Sequence, residues 1–139
     1  MQYRINEPVS AKALADLREA VGWNRLEAEY ADPRLTSFGH IAAFDGEKLA
    51  GWIDCVSNGV TDAYIQDLMV RPDCQGQGIG TELMRRMLAY LKENRIYMVS
   101  VVFEESLKPF YARFGFFPML AGQLETYADP LPHTDRNEG

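Results

Sequence analysis

One stretch in the middle of the chain, VRPDCQGQGIGT over residues 70–81, constrains the fold more than any other. The apolar run before it (63–70) predicts a central strand, and the run after it (79–93) predicts an amphipathic helix. Between the two, glycine recurs at alternate positions, which removes Cβ atoms where a backbone turns sharply or approaches a ligand. The N–H groups of the first helical turn would then converge, and the helix dipole favours an anion there. The stretch therefore predicts a corner that binds a pyrophosphate.

Two common phosphate-binding loops do not fit these residues. A P-loop requires GxxxxGK[ST], and no Lys-Ser or Lys-Thr pair follows the glycines. A dinucleotide-binding fold requires GxGxxG, and from Gly76 the last glycine of that pattern falls on Thr81. A tight turn without any ligand is the structural alternative.

The rest of the chain predicts a single α/β domain. Strands are predicted over 2–6, 40–44, 49–56, 63–70, 96–103, 116–120 and 123–127, and helices from the N-cap Ser10 to Gly22 and over 24–30, 79–93 and 106–114. Hairpins come first and a crossover helix follows the fourth strand, so the sheet should be mixed. We predict one domain over 1–127 and a flexible, Pro-rich and polar C-terminal tail over 128–139.

Composition and charge exclude several classes of protein. No apolar run approaches the roughly 20 residues that cross a bilayer, and no apolar stretch follows a basic start, so we expect no membrane partner and a cytoplasmic protein. The formal charge of -6 argues against a nucleic-acid partner and fits a cationic one, such as an amine. With 2 His and 2 Cys in the chain, we expect no metal centre, no hydrolase triad and two reduced thiols.

Two motifs in the right order carry a resemblance to a known family. The run Gln75-Gly76-Gln77-Gly78-Ile79-Gly80 matches [QR]-x-x-G-x-[GA], and Phe110-Tyr111-Ala112-Arg113-Phe114-Gly115-Phe116 is similar to FY-x-x-x-GF. Both belong to the GNAT superfamily of acetyl-CoA-dependent N-acetyltransferases, which the chain resembles over about residues 39–120. The resemblance implies a single-domain GNAT-like fold, with a mixed central sheet splayed at the fourth strand and flanked by helices. It also implies acetyl transfer from acetyl-CoA to a primary amine by direct attack, without a covalent acyl-enzyme.

The resemblance further implies where coenzyme A binds. Its pyrophosphate would meet the backbone amides of Gln75, Gly76, Gln77, Gly78, Ile79, Gly80 and Thr81. The backbone of Leu68, Met69 and Val70 would pair with the pantetheine arm as an added strand, and one of these amides would face the thioester oxygen. Phe110 lies in the second motif. Glu104 stands where relatives often carry an asparagine that contacts pantetheine, so it either contacts the cofactor or faces the incoming amine.

The proton-transfer groups are assigned in the same way. Tyr111 matches the family tyrosine that protonates the departing thiolate, and a phenol with a pKa of about 10 can protonate a thiolate whose conjugate acid has a pKa of about 8.5. A core aromatic residue is the alternative for Tyr111. Asp67, beside the splayed strand, is the first candidate for the general base, directly or through waters, with a loop-anchoring carboxylate as the alternative; Glu104 is the second candidate. Trp23 and Arg25 lie where many relatives form the acceptor pocket, or else Trp23 seals the core.

Several functional alternatives remain open at this point. A non-catalytic acyl-CoA sensor or partner-binding module would carry the same loop, and a protein that binds NAD or ATP would also need free amides. The acceptor is expected to be a small-molecule amine, with a peptide amine as the other choice. The sequence leaves a homodimer open.

Overall fold

The computed structural model describes residues 1–126, so Tyr127 and the predicted tail over 128–139 lie outside the described residues. The chain divides into two compact units, Met1–Phe103 and a second that begins at Glu104. The domain boundary expected at residue 127 stays a prediction.

The first unit is built on a five-stranded sheet whose strands lie in sequence order. The strands are β1 (Gln2–Ile5), β2 (Gly39–Asp45), β3 (Lys48–Ser57), β4 (Asp62–Val70) and β5 (Met98–Val101). Neighbours from β1 to β4 pair antiparallel, and β5 pairs parallel to β4. The predicted mixed sheet is therefore confirmed. A parallel neighbour needs a crossover, and the helix after β4 provides it.

Three helices accompany the sheet: α1 (Ala11–Ala20), α2 (Glu27–Ala31) and α3 (Ile79–Glu93). Ser10 caps α1 as predicted, because its Oγ accepts a hydrogen bond from Ala13 N–H at 3.1 Å. The bounds of α3 are those predicted. However, α2 begins later than the predicted 24–30, because Asn24 is engaged by the Arg18 side chain and Leu26 has a left-handed φ of 49°.

The helices cover both faces of the sheet. Leu14 and Leu17 of α1 form a buried core cluster with Trp52 of β3. Successive strand residues point to opposite faces, so Gly51 faces the other side. There it lies against α3, and a Cβ on Gly51 would stand 2.9 Å from Leu83 Cδ1. This close approach fixes the N-terminal half of α3 against the sheet.

The sheet opens along β4. Strand β5 pairs only with residues Asp62 to Ile65, whereas β4 continues to Val70 and there pairs with β3 alone. From Gln66 onwards, the edge of β4 that faces away from β3 has no strand partner among the described residues. The predicted splaying at the fourth strand is therefore confirmed. Strand β5 is shorter than the predicted 96–103, because Ile96 N–H still bonds to Leu91 O at the end of α3.

The second unit contains a 3₁₀ turn (Glu105–Leu107) followed by α4 (Lys108–Ala112), a shorter helix than the predicted 106–114. The two strands predicted beyond it are wrong over the described residues, because 116–126 forms neither helix nor strand. Pro118 has no N–H to donate to a ladder, and the neighbouring Phe117, Met119 and Leu120 remain exposed. An apolar pattern forms a strand only where a partner strand and a buried face are available.

The two cysteines, Cys55 and Cys74, are both buried and unpaired, as expected. None of the helices within 1–126 combines the length and the apolar character that crossing a bilayer requires.

The Gly51 contact predicts a stability effect. Replacing Gly51 with Ala places a Cβ 2.9 Å from Leu83 Cδ1 and 3.0 Å from Ile79 Cγ2, so the core is overpacked. We expect Gly51→Ala to lower the free energy of unfolding by about 1–3 kcal/mol, measured by urea denaturation. The control is Gly122→Ala, whose Cβ would meet no atom within 4 Å. Equal unfolding midpoints for the two variants would contradict the packing described.

Candidate active site

An extra residue in β4 shapes the centre of the site. Trp52 pairs with Met69, and Asp54 pairs with Gln66. Between these two pairs β3 contributes a step of two residues and β4 a step of three, so β4 contains one extra residue. Asp67 takes up this β-bulge with a φ of 55°, a left-handed conformation that costs a non-glycine residue about 1–2 kcal/mol. Adjacent strand residues normally point to opposite faces, and the bulge removes that alternation locally.

As a result, Gln66 and Asp67 both reach the side of the sheet that α1 covers. Gln66 Nε2 donates a hydrogen bond to Asp54 Oδ1 at 3.2 Å. The Tyr30 hydroxyl donates to Asp67 Oδ2 at 3.1 Å. The bulge therefore places two neighbouring polar side chains together on one face, beside the strand edge that lacks a partner.

The open edge of β4 offers backbone rather than side chains. Met69 is 2% exposed and packs in the core with Leu14 and Leu17 of α1, so its backbone is the part available to a ligand. Leu68 and Val70 are half-buried. This is the arrangement that pairing with an extended ligand requires.

The glycine loop is held against the end of β4. Gln75 Nε2 donates to Val70 O at 3.1 Å, so this predicted cofactor residue fixes the loop with its side chain. Lys48 Nζ lies 2.6 Å from Asp73 Oδ2 in the turn before it. Gly76 and Gly78 have φ values of 81° and 79°, which favour glycine, and a Cβ on either would meet no protein atom within 4 Å.

The start of α3 leaves several amides without acceptors. The first bond of the helix runs from Glu82 N–H to Gly78 O at 3.0 Å. The N–H groups before it find no acceptor among the described residues; they belong to Gly76, Gln77, Gly78, Ile79 and Gly80. Ile79 itself is buried, and Gly80 and Thr81 are half-buried in the first turn. Free amides, open space above glycine and a helix N-terminus together fit a diphosphate.

The remaining predicted residues lie in the second unit. Tyr111 is 5% exposed, and its ring packs edge-on against Phe110 and Phe116 with centroids 5.0 and 6.0 Å apart. The Arg113 guanidinium lies 5.2 Å from the Phe110 ring. Glu104 is exposed, and its carbonyl accepts from Leu107 N–H at 2.9 Å, which begins the 3₁₀ turn. These ring contacts restrict the orientation of the Tyr111 phenol.

A cleft of about 200 Å³ opens beside the bulge. It is lined by α2 and the segments around it together with β3 and β4: Leu26, Glu29, Tyr30, Leu35, Asp54, Gln66 and Asp67. Trp23 and Arg25 do not line it. Trp23 is 42% exposed, so the interpretation that it seals the core is wrong, and Arg25 forms ion pairs with Asp16, Glu19 and Glu27.

Asp67 is already engaged by two groups. Besides the Tyr30 hydroxyl, the Arg18 Nη1 lies 3.5 Å from Asp67 Oδ2. Arg18 is 9% exposed, and it is held in turn by Asn24, whose carbonyl accepts from its Nε at 2.6 Å. Burial, followed by the nearby charge of Asp67, raises the pKa of Tyr30 to about 12, so this phenol stays protonated and donates.

Asp54 was missed by the sequence reasoning. It is 8% exposed, and burial raises its pKa to about 7, with a further rise from the charge of Asp67 and an opposing effect of the Gln66 hydrogen bond. A signal was present, because a carboxylate in the middle of the apolar run 49–56 is seldom buried without a role.

Known proteins similar to this chain identify its family. The sequence model of the Acetyltransferase (GNAT) family matches residues 8–116. An uncharacterized N-acetyltransferase of Pyropia yezoensis is 24% identical over 116 residues, which make up 80% of this chain and 67% of that protein. The chain spans 62–67% of the length of three such uncharacterized relatives. The chloroplastic serotonin N-acetyltransferase 2 of Oryza sativa subsp. japonica is 34% identical over 59 residues, 42% of this chain and 30% of that protein.

Solved structures show the same fold. A GNAT family acetyltransferase from Streptococcus pneumoniae TIGR4 superposes with a TM-score of 0.74 at 31% identity, covering 92% of this chain and 98% of that one. The resemblance predicted from two short motifs is thereby confirmed. Because the family match extends over most of the chain and includes strands β2 to β5, the bulge and the loop, the chain belongs to the GNAT family of acetyltransferases.

Proposed function

We propose that this protein transfers the acetyl group of acetyl-CoA to the nitrogen of a primary amine by direct attack. One observation carries the proposal: the free backbone amides at the start of α3 come shortly after the open edge of β4 in the chain, and Gln75 holds the loop between them against Val70. A phosphate-binding corner that continues into an unpaired strand edge suits a ligand with a diphosphate at one end and an extended amide-bearing arm behind it.

The cofactor would be held mainly by backbone. The amides from Gly76 to Gly80 would donate hydrogen bonds to phosphate oxygens, with Gln75 and Thr81 at the ends of the same loop. The backbone of Leu68, Met69 and Val70 would pair with the pantetheine arm. Phe110 and Glu104 are proposed contacts in the second unit. When bound, acetyl-CoA supplies a thioester whose acyl carbon is open to attack by an amine.

Tyr111 is proposed as the general acid that protonates the departing sulfur. Its phenol is buried and its ring is oriented by Phe110 and Phe116, so little freedom is lost when the hydroxyl is used. General acids of this kind contribute about 10²–10⁴-fold to a rate.

The amine must lose a proton before it attacks. An alkyl ammonium with a pKa of about 10.4 costs roughly 4.6 kcal/mol to deprotonate at pH 7, whereas an α-amino group with a pKa of about 8 costs roughly 1.4 kcal/mol. An alkylamine acceptor therefore needs a proton acceptor in the site. Asp67, the first candidate from the sequence, is engaged by Tyr30 and Arg18, and its role as the base stays a prediction.

The acceptor is proposed to be a small-molecule amine. Pockets for drug-sized ligands measure about 300–1,000 Å³, and a cleft of about 200 Å³ is smaller than that. The rice relative is a serotonin N-acetyltransferase, and serotonin is a small aryl-alkylamine in keeping with this size class. A peptide amine, a cytoplasmic location and a homodimer stay predictions.

The rival functions differ in which ligand stabilises the fold. An acetyltransferase and a non-catalytic acyl-CoA sensor are both stabilised by coenzyme A, and only the former releases free thiol with an amine. A nucleotide-binding protein is stabilised by NAD or ATP instead. In a thermal-shift series we expect coenzyme A to raise the melting temperature and NAD and ATP to leave it unchanged. At a ligand concentration of 100 times Kd, the free energy of unfolding increases by about 2.7 kcal/mol. Stabilisation by NAD or ATP alone would overturn the proposal.

A substitution in the loop tests the cofactor site. Gly78→Val places a branched side chain in the open space above the amides, so we expect coenzyme A affinity to fall at least about tenfold, measured by calorimetry. The control is Gly22→Val, which has a comparable φ of 88° and similarly open space but lies after α1. It should keep the affinity of the unmodified protein. Unchanged affinity in Gly78→Val would show that the ligand does not bind at this loop.

Removal of one hydroxyl tests the acid. With any amine that the protein acetylates, we expect Tyr111→Phe to lower kcat about 100-fold or more with coenzyme A affinity unchanged, followed by thiol release. Tyr97→Phe removes a phenol that is 80% exposed and serves as the matched control. If Tyr111→Phe and Tyr97→Phe have similar kcat values, the assignment is wrong.

A further inference from the structure

We propose that the cleft beside the bulge binds the ammonium group of a small amine without a carboxylate and that Asp54 accepts its proton. This inference rests on the acetyl transfer proposed above, and it names the residue and the substrate class of that reaction. It is carried by the burial of Asp54, by the single hydrogen bond of its carboxylate and by the charges around the cleft.

The Asp54 carboxylate is buried with only one oxygen engaged. The residue is 8% exposed, lines the cleft, and accepts at Oδ1 from Gln66 Nε2 at 3.2 Å. Its Oδ2 accepts no hydrogen bond from the described residues, and no cation within them pairs with it. A buried charge without a partner is unfavourable, so a donor that enters the cleft would be bound tightly. An ammonium group supplies both the charge and the hydrogen bonds.

Asp67 differs from Asp54 in its charge partner. Each carboxylate has one oxygen that accepts no hydrogen bond from the described residues, but Oδ2 of Asp67 contacts the Tyr30 hydroxyl and the buried Arg18 guanidinium. The guanidinium balances the charge of Asp67, whereas no cation among the described residues pairs with Asp54. In this proposal Asp67 is a positioning residue, which holds α2 and Arg18 against the bulge, and Asp54 is the carboxylate that meets the substrate.

The charges around the cleft favour a cation that carries no carboxylate. Three carboxylates line it, those of Glu29, Asp54 and Asp67, and the one guanidinium paired among them is that of Arg18. Glu29 has no ion pair among the described residues. The cleft therefore retains negative charge, which attracts an ammonium group and repels a substrate that also carries a carboxylate. Amino acids are thereby disfavoured relative to simple amines.

The remaining lining is apolar. Leu26, Leu35 and the Tyr30 ring contribute this surface, and the volume of about 200 Å³ is enough for a compact apolar group. A primary amine with a compact alkyl or aryl group satisfies both the charge and the lining.

The proposed proton transfer runs from the bound ammonium group to Asp54. One N–H bond of the ammonium breaks, its electron pair stays on nitrogen, and an O–H bond forms at Asp54 Oδ2; the proton then leaves to water. In the protein by itself, burial raises the pKa of Asp54 to about 7, which makes it a stronger base than a carboxyl with an ordinary pKa of about 3.9. The free amine nitrogen is then able to attack.

Each element packed around Asp54 contributes a titratable or polar group. His40, its partner on β2, has both ring nitrogens engaged, by Ser37 Oγ at 3.0 Å and the Glu7 carbonyl at 2.8 Å. The other groups come from β4, α2 and α1: Gln66, Asp67, Glu29, Tyr30 and, through Asp67, Arg18.

As the pH falls through about 7, Asp54 takes up a proton and loses both its charge and its capacity to act as base. We therefore expect kcat/KM to fall on the acid side of about pH 7.

Asp54→Asn tests the inference, because it keeps an oxygen that can accept from Gln66 and removes the charge. Asp62→Asn is the control, since it removes an exposed carboxylate at the start of β4 that does not line the cleft. The first readout is calorimetry without coenzyme, with 2-phenylethylamine, the uncharged 2-phenylethanol and the carboxylated phenylalanine as probes. We expect the unmodified protein and Asp62→Asn to bind the amine at least about tenfold more tightly than either analogue, and Asp54→Asn to lose that preference.

The second readout is the pH profile of acetyl transfer. We expect the acid limb near pH 7 to disappear in Asp54→Asn. In Asp67→Asn it should persist but move to lower pH, because the charge of Asp67 no longer raises the pKa of Asp54. An unchanged amine preference or a retained acid limb in Asp54→Asn would overturn the inference, and coenzyme A binding with thiol release would then still support the proposed function. Conversely, failure of coenzyme A to bind would overturn the proposed function, while the amine preference measured without coenzyme would still test the cleft.

Discussion

The bulge at Asp67 is the constraint on which the rest of the site depends. One extra residue in β4 shifts its register against β3, and the parallel pairing with β5 ends just before it, at Ile65. The same bulge turns Gln66 and Asp67 to one face, where they form hydrogen bonds with Asp54 and Tyr30. A single local departure from strand geometry therefore accompanies both an open edge for an extended ligand and a polar cleft beside it. The left-handed backbone at Asp67 is unfavourable by itself, and the Tyr30 and Arg18 contacts offset that cost.

The site combines two kinds of binding surface with different physical origins. The loop before α3 is proposed to bind its ligand through backbone amides, and its shape depends on left-handed conformations at Gly76 and Gly78 and on the Gln75 side chain that fixes the loop to β4. The cleft is proposed to bind through side-chain charge in a partly dehydrated environment, where carboxylates interact strongly with an incoming cation. Changes in the cleft could therefore alter the acceptor while the loop keeps its ligand.

The sequence predicted those parts that follow from local patterns. Helix α3 was predicted at its observed bounds because its apolar period is strong and Gly78 precedes it, and the loop was predicted from glycine spacing. The bulge was not predictable, because a left-handed φ at an aspartate has no sequence signal. Asp54 was missed because its chemistry depends on neighbours in other strands and helices. The strands expected over 116–127 were wrong over the described residues, because strand formation requires a partner that an apolar pattern does not specify.

The most direct test of this account is a backbone amide NMR titration of the ¹⁵N-labelled protein with coenzyme A. The account predicts that the largest shifts fall on the loop amides from Gly76 to Gly80 and on Leu68 to Val70 along the open edge of β4. The amides of Gly22 and Gly59, which also have left-handed φ values, should stay unchanged. Shifts scattered over the surface, or confined to residues outside the loop and β4, would contradict it.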